Sequence, residues 1–442
     1  MSFSPMRTNI PLSSSPPGAT VAGDVRRQCA FVFIANLAQL ADAYGQPLAS
    51  SVSREIQRRL CAHFVTSAAS DLACIRDDCF LLWVNDAFEA GRSQPALAAE
   101  SIERLVVRVA QEAVRTHGME ALPQLHAGWI DVPSRALLTA ADAEFVLYAA
   151  QPAPDFAEGR HEGGRQRYRA DMDAAVQVSD ALAAGRIEHA WHPVVDAHYP
   201  ASTFLYRAGG VHVLPGTGQA WPCSAGVFVP CLERLGLVRL FDRAIVRQAL
   251  DALRSHPSLT LGAKISTQSA VLDHFWAGLL QTLKGDPSLA RRLVIEIGGD
   301  MALPSLEAAR DLCTQLQMCG CRVAVTGFGR GAMGLADLRA CRPDIIKLDE
   351  VFVRNARGSA FGLESLQDML RICAHLATHV VVDGIEREDD LRASVRAGAR
   401  WLHGSYLGRL EMQSRADTTR PWPANDETFS GRDMNLCQQA GG

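Results

Sequence analysis

LVIEI at Leu293–Ile297, VAVT at Val323–Thr326, DIIKL at Asp344–Leu348 and HVVV at His379–Val382 are the runs that decide the fold. They are short, rich in Val and Ile, and apolar on successive positions rather than on alternate ones. That is the signature of strands covered on both faces, as in a parallel sheet. An amphipathic stretch long enough for a helix follows each run, so strand starts near 293, 322, 344 and 379 have the spacing of βα units. LGAKI at Leu261–Ile265 adds an earlier unit. Enough of them fit between about 173 and 410 to predict a (β/α)8-type barrel. Lys264, Glu296, Thr326, Lys347, Asp349, Asp383 and Glu386 stand at or just beyond the C-terminal ends of these runs. In a barrel such positions converge on the face where sites form.

Working outward, the 442 residues are 48% hydrophobic and 21% charged, which excludes wholesale disorder and implies two or three domains. A formal net charge of −4 gives no global electrostatic reason to expect nucleic acid as a direct partner. No apolar run approaches the ~18–20 residues of a bilayer span, so no membrane partner is expected. The opening MSFSPMRTNIPLSSSPPGAT has no continuous apolar core and does not read as a secretory leader. A cytoplasmic location is the expectation. The 12 cysteines form no C-x-x-C pair, and Cys319 and Cys321 are poorly spaced for zinc, so reduced thiols are expected. His189, His192 and His198 cluster in sequence, but their spacing is weak evidence for a metal.

Composition divides the chain further. Residues 1–26 read as a flexible Ser/Pro/Gly-rich tail, 27–151 as an α+β sheet domain, 152–172 as a polar linker, 173–410 as the barrel, and 411–442 as a second tail. In the first domain, Ala30–Ile34, Phe80–Val84 and Leu125–Ile130 read as strands. Ser53–Phe64, Leu97–Thr116 and Leu137–Ala150 read as helices.

The second domain resembles an EAL domain, the barrel whose active members hydrolyse cyclic di-GMP. Trp191-His192-Pro193-Val194-Val195-Asp196 is similar to the family's YQPIVD, and Phe228–Val238 to FIPLAERTGLI. Val325-Thr326-Gly327-Phe328-Gly329 stands where the family has LDDFG, and Ile346-Lys347-Leu348-Asp349 where it has LKID. Val382–Glu386 resembles AEGVE, and His403-Gly404 takes the place of QG. The first domain more faintly resembles a GGDEF domain, through Asp42-Ala43-Tyr44-Gly45, Arg76–Phe80, Gly128, Ala141-Asp142-Ala143 and Tyr148.

The departures bear on the chemistry. By the resemblance, the aspartates of the GGDEF-type D-x-D fall on Phe33 and Ala35, the signature glycines on Arg76 and Asp77, and a metal-binding acidic position on Cys79. Asp78 survives alone. In the barrel, Arg207 takes the place of the Glu that names the family, in a register open by one residue, and Val211 that of its phosphate-clasping Arg. Lys264 replaces an Asn, Gly299 a Glu, Thr326 and Gly327 a pair of aspartates, and His403 a Gln. Glu296, Lys347 and Glu386 keep their types, while Asp383 shortens a Glu.

The family's hydrolysis uses a hydroxide held by two cations, which needs several oxygen ligands. An ammonium fixed about 4 Å from a dication would be repelled by roughly 8 kcal/mol at an effective dielectric near 20. Lys264, with Arg207, is therefore expected to pair with Glu296 and neighbouring carboxylates in place of metal. The resulting expectation is a catalytically inactive regulatory adaptor with no catalytic residue, metal or cofactor. Its partner is a protein, and a homodimer through the EAL-like domain is the oligomer the resemblance allows. Two alternatives stay open. One is a cyclic di-GMP receptor without hydrolysis, using Glu233, Lys347, Asp349, Asp383 and Glu386; the other is a phosphodiesterase with an atypical site loaded with Mg²⁺ or Mn²⁺.

Overall fold

The computed structural model describes residues 26–64, 72–83, 95–116, 118–133, 162–200, 203–214, 224–408 and 411–413. It divides into two compact units, one reaching to about residue 180 with 234–237, the other holding the remainder.

The first unit is α+β. Its sheet has the order β2-β3-β1-β6, formed by β1 (Arg26–Ile34), β2 (Leu72–Arg76), β3 (Cys79–Trp83) and β6 (Leu125–Pro133), paired antiparallel throughout. Phe31, Phe33 and Phe80 from the sheet are buried, as are Leu48, Ile56 and Leu60 from the helix Gln46–Phe64. The helix expected over Leu97–Thr116 stops at Ala110. Val114–Thr116 is instead a strand, β4, paired with β5 (Met119–Ala121). Two β-branched residues favour the strand, and Gly118, at φ 77°, turns the chain back. The segment Leu137–Ala150, with Ala141–Ala143 and Tyr148, lies outside the described residues, as does most of each expected tail.

The polar stretch read as a linker over 152–172 is helical from Glu162, in a 22-residue helix Glu162–Ala183. Its Arg, Gln, Asp and Ala residues are compatible with helix, and Met172, Ala175, Val176 and Val178 give it a buried face. Polarity alone had concealed that stripe.

The second unit is a closed barrel of eight strands. These are β7 (Ile187–Asp196), β8 (Phe204–Val213), β9 (Leu261–Ile265), β10 (Leu293–Gly298), β11 (Arg322–Phe328), β12 (Ile345–Leu348), β13 (His379–Val382) and β14 (Trp401–Leu402). From β8 to β14 neighbours run parallel, whereas β7 is antiparallel to both β8 and β14 and closes the ring. A short β15 (Glu411–Gln413) pairs with β7, so the unit extends past the expected limit of 410. Strand alternation sends Leu261, Ile295, Val323, Ile346 and Val382 outward into the layer beneath the helices. It sends Val194, Tyr206, Ala208, Val294, Ala324, Ile345, Val381 and Trp401 inward, where they fill the barrel. No helix among the described residues is long and apolar enough to cross a membrane.

Candidate functional site

The same alternation puts His192, Lys264, Glu296, Thr326, Lys347, Asp383 and His403 on the inward side near the barrel mouth, two residues from members of the apolar layer or one strand step beyond it. Lys347 is buried at its centre. Its Nζ lies 3.3 Å from Asp383 Oδ2 and 3.4 Å from His403 Nδ1. His403 Nδ1 is 2.6 Å from Asp383 Oδ1, and Gly384 N–H donates to that same oxygen at 2.8 Å. An ionised carboxylate only accepts, so His403 Nδ1 carries the proton and donates it to Asp383. Burial alone would push the Asp383 carboxyl up, but the Lys347 ammonium and His403 hold it well below the usual carboxylate range. Burial likewise opposes the Lys347 charge, and Asp383 and Glu296 outweigh it, leaving Lys347 above its ordinary value.

Glu296 is 2% exposed, and its Oε1 has no hydrogen-bond partner. Beside it is Tyr206, whose buried hydroxyl makes no well-formed hydrogen bond and stands close enough to Glu296 to interact with it. Burial and the Glu296 charge push that phenol well above its ordinary value. Both side chains press on Gly262, where a Cβ would come within 2.7 Å of the Tyr206 ring and 2.9 Å of Glu296 Oε1. His192 packs edge-on to His403, with ring centroids 5.9 Å apart. Burial, then the charges of His403 and Lys347, push His192 down to about 4.

Two expectations are overturned. Lys264 is the strand-register partner of Glu296, yet it is exposed and no ion pair joins the two. Its Cε would lie 3.4 Å from a Cβ on Gly298, so the chain runs out over that glycine and keeps its ammonium in water. The cation that Glu296 faces is Lys347. Arg207 lies outside the mouth as well: Tyr206 and Ala208 face inward, so the residue between them faces outward, 5.4 Å over the Phe204 ring. Val211 is buried opposite His189.

Of the other candidates, Asp349 caps the helix Glu350–Ala356 by accepting from Val351 N–H at 3.0 Å, and lies 3.7 Å from Arg330. Glu386 is exposed and stands apart from the buried group. Glu233 accepts from the Ser266 hydroxyl at 2.6 Å. Thr326 is buried, its hydroxyl 3.5 Å from Ile297 O. Gly299 has no room for a side chain, since a Cβ would lie 2.5 Å from Thr326 O. Gly327, at φ 70°, turns the chain out of β11. Asp242 is a buried polar residue that motif comparison passed over, whereas His192, read only as part of a motif and as a weak metal candidate, reaches the mouth. Asp242 is fully buried, accepts from Ser266 N–H and the Ser269 hydroxyl, and is pushed up to about 7 by burial.

In the first unit, Phe33 and Cys79 are buried core residues, and burial pushes the Cys79 thiol up to about 12. Ala35 N–H bonds Gln124 O. Arg76 pairs with Asp78 at 3.0 Å, and Asp77 O accepts from the Ser53 hydroxyl. These residues tie down a hairpin turn.

The mouth does not suit a pair of divalent cations. Its inward positions carry two carboxylates, two lysines, two histidines, a threonine and glycines; Glu296 faces the Lys347 charge, and Asp383 is engaged by Lys347 and His403. Among the described residues, no three His, Cys, Asp or Glu side chains are placed to hold one ion.

An eight-stranded barrel with a reversed first strand and a polar inward ring at the mouth defines the class of protein. The EAL domain profile matches residues 175–409, just over half of the chain, and the chain belongs to the EAL domain family. It is similar to an uncharacterized protein of Azorhizobium caulinodans, 23% identical over 330 residues, covering 72% of this chain and 44% of that one. It is also similar to the cyclic di-GMP phosphodiesterase PdeF of Escherichia coli K12, 23% identical over 190 residues, covering 42% of this chain and 25% of that protein. Among solved structures it is similar to the S helix-GGDEF-EAL portion of Vibrio cholerae LapD without ligand, at TM-score 0.48 and 17% identity, covering 86% and 89% of the two chains. The chain spans less than half the length of the curated relatives it matches.

Proposed function

We propose that this EAL-family chain does not turn over cyclic di-GMP and acts as a regulatory adaptor for a protein partner, with no metal or nucleotide cofactor. The observation that carries this reading is Lys347 seated between Asp383 and His403, with Glu296 as the one buried inward carboxylate at the barrel mouth among the described residues. Two-cation hydrolysis needs several anionic oxygens on a shared site, and here one is already neutralised. The first unit, read as a degenerate GGDEF-like domain, has Phe33, Ala35 and Cys79 where a cyclase needs carboxylates, and makes no cyclic di-GMP. The protein works in the cytoplasm, and the barrel unit is the surface for any homodimer.

Purified full chain incubated with cyclic di-GMP and Mg²⁺ or Mn²⁺ tests the central claim. No linear dinucleotide should form. Metal-dependent turnover that vanishes with Glu296→Ala would overturn the reading.

A second reading, binding of cyclic di-GMP without hydrolysis, draws on the buried His403 Nε2 without a partner, and on the neighbouring Glu296 Oε1 and Tyr206 hydroxyl, which lack well-formed hydrogen bonds. Such atoms are costly unless something bonds them. PdeF is named for cyclic di-GMP, which makes that nucleotide the ligand to try. Calorimetry should give no heat of binding under the adaptor reading. Affinity at roughly micromolar or tighter, about −8 kcal/mol, selects the receptor.

A further inference from the structure

One buried acid stands outside the ion pair at the mouth. Asp242, on the helix Val238–Ser255, is 4% exposed. Its Oδ2 accepts from Ser266 N–H at 2.8 Å and from the Ser269 hydroxyl at 2.6 Å, both neutral donors. No cation forms an ion pair with it among the described residues. Arg239 and Arg243, on its own helix, bond instead to Asp273, the cap of the helix His274–Gly285. Lys264 of β9 is exposed and favours the Asp242 charge only from a distance. Glu233, on the helix Ala225–Arg234, has the same sign as Asp242 and accepts from the Ser266 hydroxyl at 2.6 Å. A buried carboxyl that meets neutral donors and a second carboxylate gives up its proton reluctantly. Burial, with the Glu233 charge behind it, pushes Asp242 up to about 7. The hollow beside it, bordered by Ser269 and Trp276, has room for about one water, which gives a proton a way in.

What Asp242 holds is a turn. The segment 266–270 leaves the C-terminal end of β9, on the barrel face where sites form, and contains the short 3-10 turn Thr267–Ser269. Besides its two bonds to Asp242, the Gln268 side chain donates to Glu233 O at 2.9 Å and the Trp276 indole donates to Ser269 O at 2.9 Å. Opening the turn exposes Asp242 to water, where a carboxyl returns to about 3.9. The closed turn therefore binds the proton more tightly than the open one, and opening releases it. The open fraction rises with pH from about 4 to the folded value of Asp242, then levels off.

We propose that Asp242 is a proton-operated latch on the segment 266–270: with its proton it keeps that part of the mouth's rim closed, and without it the rim opens more readily. The latch goes beyond the adaptor reading and stands independently of it. It makes the order of the rim, and with it the placing of Glu233, respond to pH.

Hydrogen exchange of the full chain tests this, read by mass spectrometry from about pH 5 to about pH 9 and corrected for the pH dependence of chemical exchange. Protection of peptides covering 266–270 should fall about tenfold per pH unit up to about 7 and stay level above it. The helix Leu306–Met318 should keep its protection throughout. Asp242→Asn, which keeps the shape and one acceptor oxygen, should abolish the slope. Glu233→Gln removes the like charge and should move the levelling point down by about half a pH unit. A purely structural tie would lower protection equally at every pH and give neither result. A flat wild-type profile, or a slope that survives Asp242→Asn, overturns the proposal. Where Asp242→Asn fails to fold, Glu233→Gln decides, and an unmoved levelling point overturns the proposal as well.

Discussion

At Lys347, burial and charge pull in opposite directions, and the neighbours decide the outcome. Asp383 and Glu296 keep the ammonium charged inside the barrel, and Lys347 with His403 keeps Asp383 ionised. Removing one partner strands the other in a medium that solvates it poorly. Lys347→Met is therefore expected to lower unfolding free energy by about 1–3 kcal/mol in urea denaturation, with much of the loss recovered when Asp383→Leu is added. The cost is discounted because Asp383 stays partly exposed and keeps its bonds from His403 and Gly384. The pair also sets a pH window. Asp383, held low, stabilises the fold above its unfolded value of about 4 and loses that contribution as pH falls through its folded value. Lys347, held high, contributes below about 10.4 and loses it as pH rises through its folded value. His192 runs the other way, because burial and the charges of His403 and Lys347 outweigh the pull of Asp383. Its ring should titrate near 4 in a proton NMR pH series. An inflection near the ordinary ~6.5 would mean that the ring is solvated.

Among the elements, the ends of β10 and β11 explain why a carboxylate side chain at position 299 would find no room. A Cβ at Gly299 would sit 2.5 Å from Thr326 O, and one at Gly331 would sit 2.1 Å from Gly299 O. The two connections pack backbone against backbone where the family resemblance implies a carboxylate side chain. Gly299→Glu is accordingly expected to cost about 1–3 kcal/mol in thermal or urea unfolding and to restore no hydrolysis. The cap at Asp349 makes a milder prediction: Asp349→Ala should cost about 1 kcal/mol by the same measurement. The parallel strands were legible because strands buried on both faces read as continuous Val/Ile runs, as in LVIEI and HVVV. The helix Glu162–Ala183 was not, since its polar residues imitate a linker and only its period reveals a buried stripe. The inward phase of β8 was hidden too. In YRAGG nothing local says whether Tyr206 or Arg207 faces the barrel, and only pairing with β7 and β9 settles it.

Across the whole molecule, the EAL family frame was readable from ordered motifs, while the behaviour of its mouth depended on side-chain direction. Lys347, Asp383 and His403 lie at 347, 383 and 403 in the chain, and only the parallel pairing of β12 with β13 and of β13 with β14 brings them close together. Lys264 was the reverse case. Strand register sets it beside Glu296, yet a flexible stem carries its charge back to water. A fold does not by itself confer its family's chemistry, and what this mouth does with a cation depends on which oxygens it can offer. Crystals of the full chain grown or soaked with Mn²⁺ address that question directly through anomalous scattering. The account predicts no manganese peak beside Glu296, with Lys347 still bonded to Asp383. Two well-occupied peaks there would contradict it.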